Sequence, residues 1–193
     1  EVVDAVRQIE GMVSGPAGVA GFSLGGNFAL RIARDTGLPA VAVCPAIDPP
    51  ASMVSIDSGF AAYRLFFLLK WQRALRQKEA AFPHRYEFAE ARSLKTVTDL
   101  TELFVREHTD YPDTPSYLAA YTLTGEALKD TEATVIYAED DPVIPAAGFE
   151  RLPAGIETVA CRHGGHCAFI HDIRKPTWVD EYLVSHFENR FAA

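Results

Sequence analysis

Three short segments of the sequence carry side chains that could act together in nucleophilic catalysis. The first, Gly21-Phe22-Ser23-Leu24-Gly25, matches the G-x-S-x-G motif, and the pattern predicts a buried strand before it and a helix after it. A serine at such a turn stands at a helix N-terminus, where backbone N–H groups and the helix dipole can stabilise a developing oxyanion. A glycine-rich tight turn with an inert serine is the alternative interpretation of the same motif.

The second and third segments supply a base and an acid. Asp141 follows a predicted strand that ends at Ala138, and His166 follows one that ends at Ala160. A serine nucleophile needs a base, the base needs an orienting carboxylate, and one large class of hydrolases places them on loops after strands in the order Ser, Asp, His. Asp140 is the alternative acid, and we prefer Asp141 because the Asp-Pro-Val-Ile-Pro segment begins there.

Four potential metal ligands lie close together in the sequence: Cys161, His163, His166 and Cys167. Zinc sites usually draw paired ligands from separate segments at spacings such as C-x-x-C, and this group fits none of the usual patterns. Adjacent His166 and Cys167 would also form an awkward chelating pair. We therefore predict no metal site and no cofactor, and a surface or structural role for His163.

The hydrophobic pattern predicts an alternation of helices and strands around these segments. The predicted elements are a helix over 1–13, a strand over 17–22, a helix over 27–34, strands over 41–44, 134–138 and 157–160, and a closing helix around 178–187. Helices that alternate with short buried strands are typical of a parallel α/β sheet with helices on both faces.

Residues 48–130 differ from the rest of the chain, because their pattern predicts helices and loops without strands. Aromatic residues from Phe60 to Trp71 have helical spacing, and shorter helices are expected to start near Thr98 and Ser116. Between positions 60 and 95 the net charge is +5, which leaves −13 for the remainder. This segment is predicted to be a helical lid whose basic face is either plainly solvated or attracts anionic substrates or lipid headgroups.

Composition limits the classes of protein to which the chain can belong. Its 193 residues suit one domain, and a net charge of −8 disfavours general nucleic-acid binding. The apolar run over 65–69 is far shorter than the ~20 residues that cross a bilayer. Three cysteines do not fit a disulfide framework and favour a reducing compartment, hence the cytoplasm. Cys44 is expected to be a small buried apolar residue.

Taken together, the three motifs resemble those of the α/β-hydrolase superfamily, and within it the YheT-like branch of hydrolases and carboxylesterases. The matching segments are Gly21-Phe22-Ser23-Leu24-Gly25-Gly26-Asn27, Asp140-Asp141-Pro142-Val143-Ile144-Pro145 and His163-Gly164-Gly165-His166-Cys167-Ala168-Phe169. The resemblance implies Ser23 as nucleophile, Asp141 as acid, His166 as base and the Leu24 backbone N–H as one oxyanion donor. It further implies an ester-cleaving enzyme without a cofactor, acting on a small molecule with an apolar acyl group.

Members of that family carry further strands before this point, so the resemblance implies that residues 1–193 are the C-terminal part of one hydrolase domain. A missing N-terminal segment or another chain is then expected to complete the sheet beside the strand that precedes Ser23. The alternative functions are a non-catalytic binding module of the same fold, or an acyltransferase or thioesterase that uses the same triad.

Overall fold

The computed structural model describes residues 2–12 and 14–192. In chain order the helices and strands are α1 (Val2–Glu10), β1 (Val19–Phe22), α2 (Leu24–Thr36), β2 (Ala40–Val43), α3 (Pro49–Ser58), α4 (Ala61–Ala81), α5 (Val97–His108), α6 (Thr114–Tyr121), β3 (Ala133–Ala138), β4 (Ile156–Cys161) and α7 (Trp178–Ala192). Short 3-10 helices cover Glu90–Arg92, Gly125–Leu128 and Ala146–Arg151. The chain divides into two compact units: unit 1 runs to Asp48 and resumes at Thr122, and unit 2 is Pro49–Tyr121.

Unit 1 is built on a parallel sheet of four strands in the order β1-β2-β3-β4. The predicted parallel α/β fold is therefore confirmed. Phe22 pairs with Val43, Val43 pairs with Ile136, and Ala138 pairs with Cys161. Because all strands run the same way in this register, the loops that follow them leave the sheet at one edge. β1 and β4 are the outer strands of the described sheet, and pairing of a further strand with β1 stays a prediction.

The core of unit 1 lies against the faces of the sheet. All four residues of β2 are buried, as expected of a strand covered on both faces. On one face Val43, Ile136 and Ala138 form a cluster with Phe169 and Val179, against which the aromatic side of α7 packs. The helix α2 packs against β1 and β2.

The turn from β1 into α2 is tighter than the sequence pattern suggests. The helix begins at Leu24, directly after Ser23, and not at Asn27 as predicted. A Cβ atom on Gly21 would overlap the carbonyl of Gly25, and one on Gly26 would lie 2.9 Å from Cβ of Pro45. Glycine is therefore required at positions 21 and 26 because backbone segments approach each other closely there.

Buried Asn27 ties this turn to the loop that follows β2. Its side-chain amide donates to the carbonyl of Ala46 at 2.8 Å, and its carbonyl oxygen accepts from Nε of Arg31 at 2.9 Å. The side chain of Asn27 is fully buried, so these bonds replace the water that it loses on folding. The carboxyl ends of β1 and β2 are thus held together by side-chain as well as backbone bonds.

The helix α1 is shorter than predicted. It ends at Glu10, and Val13, which the amphipathic pattern placed on its apolar face, lies outside the described residues.

Unit 2 is helical, and its helices pack around Leu68 and Leu75 of α4 together with Phe88, Leu100 and Leu103. Aromatic residues in α4 and directly before it are only partly used in this core: Phe60 is 72% exposed and Phe66 is 56% exposed.

Two helices of unit 2 start within two residues of the positions predicted for them, near Thr98 and Ser116, but other residues cap them. Thr96, not Thr98, caps α5, and its hydroxyl accepts from the backbone N–H of Asp99 at 3.0 Å. The α6 helix starts at Thr114, and the carboxylate of Asp113 accepts from the N–H of Ser116 at 2.7 Å.

No single helix among residues 2–12 and 14–192 has the length and apolar character of a membrane span. Only when α3 and α4 are counted together do they have the length and apolar character of a membrane span, and the chain bends by 114° between them.

We expect Asn27→Ala to lower the free energy of unfolding by about 1–3 kcal/mol, because the Ala46 carbonyl and the Arg31 side chain each lose a bonding partner. Urea denaturation measures the change. Asn189→Ala, which changes the same residue type at an exposed position on α7, should leave the free energy within about 0.5 kcal/mol of wild type. Equal effects of the two substitutions would contradict the proposed tie.

Asp57 of α3 is expected to stabilise unit 2 by capping α5. Its carboxylate accepts from the backbone N–H groups of Val97 and Thr98 at 2.8 and 2.9 Å, and from the Thr98 hydroxyl at 2.6 Å. Asp57→Ala should therefore cost about 1–3 kcal/mol in thermal or urea unfolding. Glu102→Ala removes one acidic side chain from the exposed face of α5 and serves as the matched control. A loss no larger than the control's would refute the capping role.

Candidate active site

Ser23 occupies a strained turn between β1 and α2. Its backbone dihedrals are φ 52° and ψ −119°, in a region that non-glycine residues rarely adopt. The strain is held in place by the Ser23 carbonyl, which accepts from the N–H groups of Gly26, Asn27 and Ala46 at 3.0, 3.2 and 3.1 Å. The Ser23 N–H donates to the carbonyl of Val43 at 2.9 Å. The turn thus holds the hydroxyl of Ser23 at the carboxyl edge of the sheet.

Asp141 lies in the turn that follows β3, and its side chain is 1% exposed. Its Oδ1 accepts from the backbone N–H groups of Val143 and Ile144 at 2.8 and 3.0 Å. These bonds fix the orientation of the carboxylate and offset part of the cost of burying it.

His166 lies in the loop after β4 and joins the other two residues. Its Nδ1 lies 3.0 Å from Oδ2 and 3.2 Å from Oδ1 of Asp141, and its Nε2 lies 3.0 Å from Oγ of Ser23. The structure therefore brings together Ser23, Asp141 and His166. With the Nδ1 proton donated to the carboxylate, the neutral imidazole presents an unprotonated Nε2 to the serine hydroxyl.

The pKa of His166 reflects two opposing effects. Burial favours the neutral imidazole and by itself would lower the pKa, since the side chain is 15% exposed. The hydrogen bond to Asp141, its negative charge and the nearby Cys167 act in the other direction and prevail, so the pKa is raised above its usual value. Asp141 thus stabilises the imidazolium form of His166.

Leu24 is the first residue of α2, so its backbone N–H is among the helix amides that have no acceptor within the helix. It follows Ser23 directly. Its position suits a hydrogen-bond donor to an oxyanion.

A thiol pair beside the site escaped the sequence analysis. Cys44 is buried, as predicted, and its Sγ donates to the Gly165 carbonyl at 3.9 Å, while Sγ of Cys167 donates to the Val43 carbonyl at 3.7 Å. The neighbouring Cys167 thiol and burial raise the pKa of Cys44, whereas the Cys44 thiol lowers the pKa of Cys167. The sequence places Cys44 at the end of one predicted strand and Cys167 directly after His166, in the loop after another strand. Because the carboxyl ends of parallel strands meet at one edge of the sheet, these positions indicate that the two thiols lie close together.

Asp140, the alternative acid, lies beside Asp141 but contacts a different part of the His166 loop. Its carboxylate accepts from the backbone N–H groups of Gly164 and Gly165. Among the residues that the structure describes, no group of three His, Cys, Asp or Glu side chains could hold a metal ion. His163 is exposed, and its Nδ1 lies 3.4 Å from Oδ2 of Asp140.

Backbone strain is concentrated around this edge of the sheet. Within residues 2–12 and 14–192, five non-glycine residues have a positive φ, and four of them belong to the loops that build the site. Those four are Ser23, Cys44, Cys167 and Phe169. Strain that persists at neighbouring positions is typical of functional sites.

The comparisons with known proteins concern the whole chain. The model of the alpha/beta hydrolase family matches residues 1–176. No curated protein matches the chain significantly.

Solved structures show the same fold at low sequence identity. The meta-cleavage product hydrolase CumD of Pseudomonas fluorescens is 17% identical, with a TM-score of 0.51, over 97% of this chain and 70% of its own. A serine hydrolase of Cycloclasticus zankles is 17% identical, with a TM-score of 0.51, over 90% of this chain and 64% of its own. Acetyl xylan esterase 1 of a Thermoanaerobacterium species is 16% identical, with a TM-score of 0.47, over 91% of this chain. The chain spans only 45% of that esterase's length.

These likenesses do not separate the YheT-like branch from other branches, so that narrower assignment stays a prediction. The family model covers far more than half of the chain, and the parallel sheet agrees with it. The chain therefore belongs to the α/β hydrolase family.

Proposed function

We propose that the protein is a serine hydrolase that cleaves carboxylic esters through an acyl-enzyme intermediate. The observation that carries the proposal is the continuous hydrogen-bonded series from Asp141 through His166 to the Oγ of Ser23. Each contact lies in the range expected between a nucleophile, its base and the group that orients the base.

In the proposed first step, Oγ of Ser23 attacks the ester carbonyl while Nε2 of His166 takes the hydroxyl proton. Asp141 keeps the imidazolium oriented and stabilises its charge. The tetrahedral intermediate then collapses as His166 returns the proton to the leaving alkoxide, which departs as the alcohol. The product of this step is an ester of Ser23 with the acyl group.

In the second step, a water molecule takes the place of the alcohol. His166 removes a proton from the water, and the resulting hydroxide attacks the acyl carbon. Collapse of the second intermediate breaks the bond to Oγ, and His166 returns the proton to Ser23. The carboxylic acid leaves, and the protein is restored.

Both tetrahedral intermediates carry a negative oxygen that needs hydrogen-bond donors. We propose the backbone N–H of Leu24 as one of them, because this amide follows the nucleophile at the positive end of α2. Removal of one such donor typically costs about 10²–10³-fold in kcat, so the contribution is large.

An apolar acyl group is the proposed specificity. Phe22 and Leu24 precede and follow Ser23 in the chain and are 40% and 52% exposed, so each residue next to the nucleophile in sequence presents apolar surface. Covering such side chains with an acyl chain is favourable by about 25 cal/mol per Å². The interpretation of residues 48–130 as a helical lid within one hydrolase domain is part of the same proposal.

We expect a fluorophosphonate probe to modify the purified protein at Ser23, because the imidazole of His166 activates that hydroxyl. Mass spectrometry of the digested protein locates the adduct. Ser23→Ala should abolish labelling, and His166→Ala should slow it by about 10³-fold or more. Ser185→Ala changes an exposed serine on α7 and should label like wild type. A folded protein that labels elsewhere, or not at all, would contradict the proposed function.

The pH dependence of ester hydrolysis should follow the raised pKa of His166. Because the neutral imidazole is the base, kcat/KM falls as the pH drops through that pKa, and the midpoint should lie above the ordinary value of 6.5. A pH series with p-nitrophenyl butyrate measures it.

Asp141→Asn removes the charge that raises the pKa of His166. The pKa should therefore move to lower pH when followed by NMR of the imidazole, and kcat should fall by about 10⁴-fold. Asp110→Asn removes an exposed carboxylate of unit 2 and should change neither quantity. An unshifted His166 pKa in Asp141→Asn would refute the role assigned to this carboxylate.

A further inference from the structure

Two adjacent carboxylates follow β3, and they contact different parts of the same loop. Asp141 contacts the imidazole of His166, whereas Asp140 contacts the backbone just before it. Oδ1 of Asp140 accepts from the N–H groups of Gly164 and Gly165, each at 2.9 Å. One turn of the chain therefore holds both the side chain and the preceding backbone of the histidine.

The segment that Asp140 contacts consists of two glycines, whose backbone has more intrinsic freedom than that of other residues. Gly165 has a φ of 54°, and two consecutive glycines cost more backbone entropy to order than other residues do. The carbonyl of Gly164 accepts from the N–H groups of Ala168 and Phe169 at 3.1 and 3.0 Å. Gly164 is thus fixed at its N–H by Asp140 and at its carbonyl by the residues beyond His166.

There is no room for a side chain at Gly164. A Cβ atom there would overlap the ring of Phe169 and would lie 3.0 Å from Cβ of Ala138. The loop is therefore packed directly against the end of β3. A shift of the two glycines would carry the imidazole of His166 away from Ser23, with which Nε2 makes a 3.0 Å contact.

The charge of Asp140 suits this task. The hydrogen bonds from Gly165 and Gly164, with a smaller contribution from His163, lower the pKa of Asp140 below its usual value. The side chain is therefore an ionised acceptor over a wide pH range. Bonds from N–H groups to a carboxylate are about twice as strong as those between neutral groups.

We propose that Asp140 is a positioning residue, which holds Gly164 and Gly165 so that His166 reaches Ser23 and Asp141 together. The inference rests on the proposed serine-hydrolase function and deepens it. Asp140 acts through the backbone and touches no reacting atom, so it differs from Asp141 in the effect its loss should have.

The test compares Asp140→Ala and Asp140→Asn with Glu139→Ala, which removes the neighbouring exposed carboxylate. Asp140→Ala should lower kcat for p-nitrophenyl butyrate by about 10- to 100-fold with little change in KM, because a displaced base slows the chemistry and leaves ester binding intact. Asp140→Asn should recover most of this loss, since the amide oxygen still accepts from the two glycines. The pKa of His166, taken from the low-pH side of the kcat/KM profile, should shift less in Asp140→Ala than in Asp141→Asn, because Asp141 keeps its charge, and should not shift in Glu139→Ala.

Three outcomes would overturn the inference. Asp140→Ala could match Glu139→Ala in kcat, which would mean that the two bonds position nothing. It could lower the His166 pKa by as much as Asp141→Asn is expected to do, which would make Asp140 the orienting acid. Finally, Asp140→Asn could lose as much activity as Asp140→Ala although its amide oxygen can still accept from Gly164 and Gly165, which would show that activity does not depend on these two hydrogen bonds.

Hydrogen exchange at the Gly164 and Gly165 amides separates failure of this inference from failure of the proposed function. If wild-type protein does not react at Ser23, the proposed function is refuted. Faster exchange of both amides in Asp140→Ala than in Glu139→Ala would still show that Asp140 holds the loop. Unchanged exchange would overturn the inference in either case.

Discussion

The parallel register of the four strands is the constraint on which the candidate site depends. Pairing of Val43 with Phe22 aligns the ends of β1 and β2, and pairing of Ala138 with Cys161 aligns those of β3 and β4. Val43 also pairs with Ile136, so β3 ends only two residues beyond β2. Residues far apart in the sequence therefore leave the sheet side by side. A shift of one strand by one residue would reverse the faces of its side chains and move its loop along the edge.

Hydrogen bonds between the loops at this edge of the sheet fix the position of Ser23. The carbonyl of Ser23 accepts three backbone bonds, one of which comes from Ala46 in the loop after β2. Asn27 adds a side-chain bond to the same loop. The strained Ser23 conformation is thus maintained by the surrounding hydrogen bonds, which fix the backbone that carries the hydroxyl.

The electrostatic balance at His166 depends on the same geometry. Burial and the Asp141 carboxylate have opposite effects on the pKa of His166, and the effect of the carboxylate prevails. Its bonds to the N–H groups of Val143 and Ile144 keep it aimed at Nδ1. Cys167 and Cys44 lie against the same groups, so the thiol pair is part of the electrostatic environment of the site.

Much of this protein follows from the sequence by itself: the helix–strand alternation, the G-x-S-x-G turn, and the residue types of Ser23, Asp141 and His166 on loops after strands. These features can be predicted because they depend on periodicity and motif spacing within short segments of the sequence. The helix starts predicted near Thr98 and Ser116 lie within two residues of the observed ones. Their capping groups are Thr96 and Asp113, together with Asp57, whose contact with α5 spans a long stretch of sequence. Only the tertiary structure decided that Asp140 holds the two glycines while Asp141 faces the imidazole, since which of two neighbouring carboxylates points where depends on the packing of β3 against the loop after β4.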